Sequence, residues 1–341
     1  MTAAQHHEGP ICDARAPFPQ GNRPPPVGAR PNAAIWRCAV RLTALLALAL
    51  PATASVFAAE RIPVAVTLLP QKYFVERVGG DRVEVTVIVP PGADAHTYEP
   101  KPRQMTALAK ARAYFAVGDP FEDVWLAKLK GVNRDMTVVH TDAGIEKLPM
   151  EVHDEHAEAH GHAPGGAEEQ HEGGRHEEGL HDPHIWLSPP LVKIQARHIR
   201  DGLIALDGAN RAAYEEGFRR FSAELDALDA ELRALFKDLG TGREFMIFHP
   251  AWGYFAQAYG LVQVPVEAQG KSPRPAQLAA LIDHARRRGI KAIFVQPQRS
   301  TRAAETIAQA IGGAVVVADD LAPDWAENLR RVARQVRAAA R

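Results

Sequence analysis

The stretch "YEEGFRRFSAELDALDAELRAL", residues 214–235, decides the architecture. Tyr214, Phe218, Phe221, Leu225, Leu228, Leu232 and Leu235 recur at alternating steps of four and three, so all seven share one helical face. Asn210 is positioned to cap the start and Gly240 to end it, predicting a rod over residues 208–240. At 1.5 Å per residue such a helix is about 40 Å long. An apolar stripe of this kind packs against neighbours and carries no chemistry of its own.

On both sides of the rod, short β-branched runs alternate with helical stretches. Before it come "IPVAVT" (62–67), "VEVTVIV" (83–89), "AYFAV" (113–117) and "MTVVH" (136–140), with helices expected near 71–79, 103–111 and 120–130. After it come "EFMIF" (244–248), "VQVPVE" (262–267), "KAIFVQ" (291–296) and "AVVVA" (314–318). Strands alternating with helices predict α/β lobes, each with a roughly four-stranded, mainly parallel sheet flanked by helices. The expectation is two lobes, residues 60–207 and 241–341, each with its own core and joined by one long rigid helix.

The chain has 341 residues, a formal net charge of −1, 46% apolar residues and 24% charged ones. Nothing in that charge balance favours nucleic acid as a partner. Residues 1–35 are rich in Pro, Gly and Ala without apolar periodicity and read as disordered. Arg37 and Arg41 then precede "LTALLALALPATASVFAAE", a short apolar run ending in small residues. That pattern predicts a secretory signal peptide over about 37–59, cleaved after Ala58 or Ala59. Both cysteines, Cys12 and Cys38, precede the cleavage point. A mature chain without thiols must bind metal through His and carboxylates, and without a cysteine at its start it has no lipid anchor.

In open α/β sheets ligands bind beyond the carboxyl ends of the strands. His96 lies in the loop after 83–89, His249 directly follows 244–248, and Asp319 directly follows 314–318. His184 lies in "HDPHIWLSPP", the loop that opens the next helix. Three imidazoles and one carboxylate match a four-coordinate zinc site. Asp94 and Glu99 flank His96 and are candidates to orient its ring, as Glu267, at a strand end, is for the second lobe. Residues 151–181 form a separate acidic, glycine-rich stretch carrying His153, His156, His160, His162, His171, His176 and His181. Its composition cannot build a core, and its histidines are accessory metal candidates.

The segments "PPGADAHTYEPKPRQM", "DPHIWLSP", "FHPAWGYFAQAYGL", "IFVQPQRSTRAAETIA" and "VVVADDLAPDW" together resemble the metal-specific periplasmic binding proteins of ABC importers, the zinc-uptake type among them. The resemblance covers residues 61–335. It implies one metal-binding histidine from each of the first three segments, His96, His184 and His249, and an acidic fourth ligand after the last strand. Where the family usually reads Asp-Pro-Leu, this chain has Asp319-Asp320-Leu321; the leucine aligns Asp319, with Asp320 as the alternative. A histidine at 249 favours zinc over manganese, whose binders tend to place a carboxylate there. The implied protein is a monomeric, periplasmic, non-enzymatic zinc carrier that serves a membrane permease. The competing expectations are a manganese or broad divalent-metal binder, a secreted zinc-storage or adhesin protein, and a secreted zinc hydrolase. The hydrolase is disfavoured because no His-Glu-x-x-His pattern is present and four ligands leave no open position for water.

Overall fold

The computed structural model describes residues 61–150, 181–267 and 270–340. The signal-peptide stretch and the histidines from His153 to His176 lie outside the described residues.

Eight strands form two four-stranded sheets. The first contains β1 (Ile62–Val66), β2 (Val83–Val87), β3 (Ala113–Ala116) and β4 (Thr137–His140), in the order β2-β1-β3-β4. The second contains β5 (Arg243–Ile247), β6 (Leu261–Pro265), β7 (Ala292–Val295) and β8 (Ala314–Val317), in the order β6-β5-β7-β8. Every pairing is parallel, and the two sheets share one connectivity. The inner strands β3 (AYFA) and β7 (AIFV) are buried at every position, as expected for strands covered on both faces. In each sheet the chain leaves the first strand toward one edge and returns to build the other. That reversal opens a crevice at the carboxyl ends.

The first sheet carries α1 (Leu69–Gly79), α2 (Pro102–Leu108) and α3 (Pro120–Val132), followed by α4 (Pro189–Leu206). The rod is α5 (Arg211–Phe236), extended by 3-10 turns at Gly208–Asn210 and Lys237–Leu239. Its buried residues are Tyr214, Gly217, Phe221, Leu225, Leu228, Leu232 and Phe236. Phe218 and Leu235 are only half-buried. A straight helix turns every 3.6 residues, so a seam drawn at 3.5 drifts off the buried face toward its ends. Gly217 takes over because α5 touches the end of α1 there: a Cβ on it would lie 2.2 Å from the Val78 carbonyl oxygen. Asn210 stands at the N-cap of the rod, but its side chain makes no capping hydrogen bond. Its side chain is used instead by Asp207, at 2.7 Å, and by Arg82, at 3.1 Å. Gly240, at φ 72°, ends the helical run in a conformation that other residues rarely adopt.

The second sheet is covered by α6 (Gly253–Ala258), α7 (Pro275–Arg288) and α8 (Arg302–Ile311), and the chain closes with α9 (Trp325–Ala339). Helix α9 does not stay with its own sheet. Trp325 packs edge-on against Phe74 of α1 at 5.0 Å between ring centres, and its indole N–H donates to the Trp186 carbonyl at 2.7 Å. Phe74 in turn stacks on Phe221 of the rod. One hydrophobic core therefore runs from the first sheet through α5 and α9 to the inner face of the second sheet. Only the layer under α7 and α8, around Met246, Phe248, Ile293 and Ile307, is a separate cluster. The sequence predicts two independent cores; the returning C-terminal helix fuses most of them into one.

Candidate metal centre

Three loops at the carboxyl ends of the strands converge. Asp94 caps a short 3-10 turn, Ala95–Thr97, by accepting the backbone N–H of His96 at 3.1 Å. Asp182 repeats the motif two residues before His184, accepting its backbone N–H at 2.9 Å and meeting its ring Nδ1 at 2.6 Å. His249 leaves β5 with its backbone clamped by Gln296, whose amide accepts from the His249 N–H and donates to its carbonyl at 3.0 Å. Its ring Nδ1 is held by the Glu267 carboxylate.

These constraints aim the rings at one point. Ring centres lie 6.1 Å apart for His96 and His184, 5.4 Å for His96 and His249, and 5.2 Å for His184 and His249. One nitrogen from each ring falls within 4.8 Å of the others, and among the described residues this is the group of His and carboxylate side chains so arranged. His184 and His249 are buried, at 2% and 6% exposure, while His96 is exposed at the mouth. The space they enclose is about 20 Å³, the size of a single ion or water and far below that of an organic ligand.

With Nδ1 committed to carboxylates in His184 and His249, each ring has Nε2 left to offer inward. In His249 that Nε2 is buried and has no hydrogen-bond partner. An orphaned buried nitrogen is costly unless something binds it. Burial, reinforced by the neighbouring His184 and by Arg299, pushes the His249 imidazole down to about 2. Burial and His184 lower His96 as well. Burial also opposes protonation of His184, but the carboxylates of Asp182 and Asp320 outweigh it and hold that ring above its ordinary value. Two rings are thus kept neutral, the form that ligates metal, and the third sits against carboxylates that balance positive charge.

Asp320 lines this space, together with Asp94 and Asp119, whereas Asp319 does not. Asp320 lines the cavity at 7% exposure, and burial raises its carboxyl to about 6 against the pull of His184. The Asp319 carboxylate is already used: it accepts the Leu321 N–H at 3.0 Å and the Gln298 amide at 2.9 Å. That side-chain-to-backbone turn orients Asp319 along the loop and leaves Asp320 to face inward.

Other expectations fare unevenly. Glu267 holds His249, but Asp94 takes the backbone of His96 and not its ring. Glu99 is exposed, and no hydrogen bond joins it to His96. His181 is exposed, pairs with Pro149 in an isolated bridge, and borders a separate cavity with His140 and Asp142. The sequence reading overlooked Asp182 as the group that orients His184, although the matching Asp-x-His spacing at 94–96 and 182–184 signals it.

The description "zinc-uptake complex component A, periplasmic" matches residues 64–339. A high-affinity zinc uptake system protein, ZnuA, of Bacillus subtilis is 29% identical over 270 residues, spanning 77% of this chain and 79% of the relative. A manganese ABC transporter substrate-binding lipoprotein, PsaA, of Streptococcus anginosus is 26% identical over 248 residues, spanning 69% and 72%. The crystal structure of a ZnuA superposes with a TM-score of 0.74 at 42% identity, covering 83% of this chain and all of the other. A zinc-bound ZnuA deletion mutant gives 0.72 at 40% identity, covering 82% and 98%. No helix among the described residues is long and apolar enough to cross a membrane. Fold, converging histidines and family match agree: the chain belongs to the zinc-uptake component A family of periplasmic metal-binding proteins, the substrate-binding parts of ABC metal importers, and is not an enzyme.

Proposed function

We propose that this chain binds one zinc ion through His96, His184, His249 and Asp320 and delivers it to the membrane permease of an ABC importer. The observation that carries this reading is the buried, unpartnered Nε2 of His249, facing two further imidazoles across an ion-sized space. Three nitrogen ligands and one carboxylate suit zinc, whereas manganese prefers oxygen-rich sets. The protein acts as a monomer in the periplasm after removal of its signal peptide, with no nucleic-acid partner, and the histidines of 151–181 collect zinc weakly.

Metal analysis of protein purified from the periplasm is expected to give one tightly held zinc per chain. Deleting residues 151–181 should leave that single zinc in place. Manganese as the native metal, or loss of tight binding with the loop, would overturn the reading. Within the site, Asp320→Ala is expected to weaken zinc about tenfold or more in a chelator competition, because it removes a ligand from the cavity. Asp319→Ala should weaken it less, acting only through the turn. The reverse order would return the fourth position to Asp319.

A further inference from the structure

Arg299 is the one Lys or Arg lining the metal cavity among the described residues. It follows β7 in "QPQRS", where its backbone N–H closes a turn on the Gln296 carbonyl at 3.2 Å. Its guanidinium faces two carboxylates from opposite lobes. One nitrogen is 3.4 Å from Asp94, the cap of the turn that carries His96. Another is 3.8 Å from Glu267, which holds the His249 ring. The three side chains are only 17%, 20% and 3% exposed, so these charges are less screened than a surface pair.

The other two histidines have different anchors. The His184 loop is tied to the second lobe by Tyr254, whose hydroxyl donates to the Asp182 carbonyl at 2.7 Å, and by the Trp186 indole on the Asp320 carbonyl at 2.8 Å. His249 stands directly on β5. The exposed His96 has neither a strand beneath it nor a hydrogen bond to its ring. Its turn meets the second lobe through the Asp94–Arg299 pair.

We propose that Arg299 is a positioning residue: a strut between the lobes that holds the His96 turn over the cavity, independently of metal, by gripping Asp94 and Glu267 together. This inference rests on the zinc reading above. The planar fork of the guanidinium suits it to two carboxylates at once, which a lysine ammonium does not match. A turn already in place when the ion arrives does not have to be ordered at the expense of binding free energy.

The test is a double-mutant cycle on the full mature chain, with zinc affinity read by chelator competition. Arg299→Gln and Asp94→Asn are each expected to weaken zinc roughly 10- to 100-fold, the usual loss when a partner behind a ligand is removed. The double variant should be little worse than either single one, because both break the same contact. Arg299→Lys should recover part of the loss. In metal-stripped Arg299→Gln, amide exchange should quicken at residues 92–98 and stay unchanged in β5 and α5, which separates a local strut from general destabilisation. Additive losses, full affinity in the lysine variant, tighter zinc binding on removing the cation, or an unaltered 92–98 segment would each overturn the strut. If the parent chain itself holds no zinc, the functional reading fails; if it holds zinc and the cycle shows no coupling, only the strut fails.

Discussion

His249→Ala is expected to lower zinc affinity by roughly 100-fold. Structural zinc sites bind with about 12 kcal/mol in all, so one of four ligands carries on the order of 3 kcal/mol. Two features push this substitution toward the larger end. The His249 ring is the more buried of the two that burial holds neutral, so no proton competes for the nitrogen it offers. Its removal also takes the imidazole partner from Glu267, which is 3% exposed and would keep only the longer contact to Arg299 at 3.8 Å. A buried carboxylate that loses its nearest partner costs more than an exposed one. His184→Ala removes the ring contact of Asp182, which keeps the backbone N–H of residue 184, while His96→Ala, at the exposed mouth, should lose the ligand alone. His181→Ala, and His198→Ala in α4, where the ring meets the Ala143 carbonyl at 2.9 Å, are the controls and should leave tight binding unchanged in an isothermal or chelator-competition titration. Equal losses from both sets would sink the assignment of the centre.

Glu122 sets the second large effect, on stability and not on metal. It stands in the first turn of α3, 4% exposed, and accepts the backbone N–H groups of Val117 at 3.0 Å and Gly118 at 2.7 Å, with the Thr67 hydroxyl beside it. Those contacts favour the carboxylate, but burial outweighs them and raises its pKa from 4.5 to about 7. Between these two values the folded chain keeps a proton that the unfolded chain has released. The resulting stabilisation is complete below pH 4.5 and is lost as pH rises through about 7. A shift of this size corresponds to roughly 3 kcal/mol. Urea unfolding of the metal-free protein at pH 5 and pH 8 should show that difference in the parent chain, on top of slopes from other groups. Glu122→Gln, which cannot titrate, should lack it. If the variant and the parent respond alike to pH, the buried carboxyl is not held protonated. The residue matters to the site because the loop it pins, 117–119, ends in Asp119, a buried group bordering the metal cavity.

Much of this protein is written in local pattern. Period-two and all-apolar runs place eight strands to within a residue or two; β3 and β7, buried at every position, tolerate little else. The rod is legible from its apolar steps, and His96, His184 and His249 from their places beyond strand ends and before a helix, since the parallel topology sends those loops to one crevice. What tertiary structure alone decides lies where two neighbouring residues compete or where a partner comes from far along the chain. Phe218 gives way to Gly217 because α5 must touch the Val78 carbonyl, a contact no periodicity encodes. Asp320 rather than Asp319 lines the cavity, and Leu321 and Gln298 claim the neighbouring carboxylate. The two expected cores become largely one because Trp325, distant in sequence, seats α9 against Phe74 and the rod. Local sequence determines which elements form and which chemistry they carry; the close approach of remote segments decides which of several equivalent side chains ends up inside.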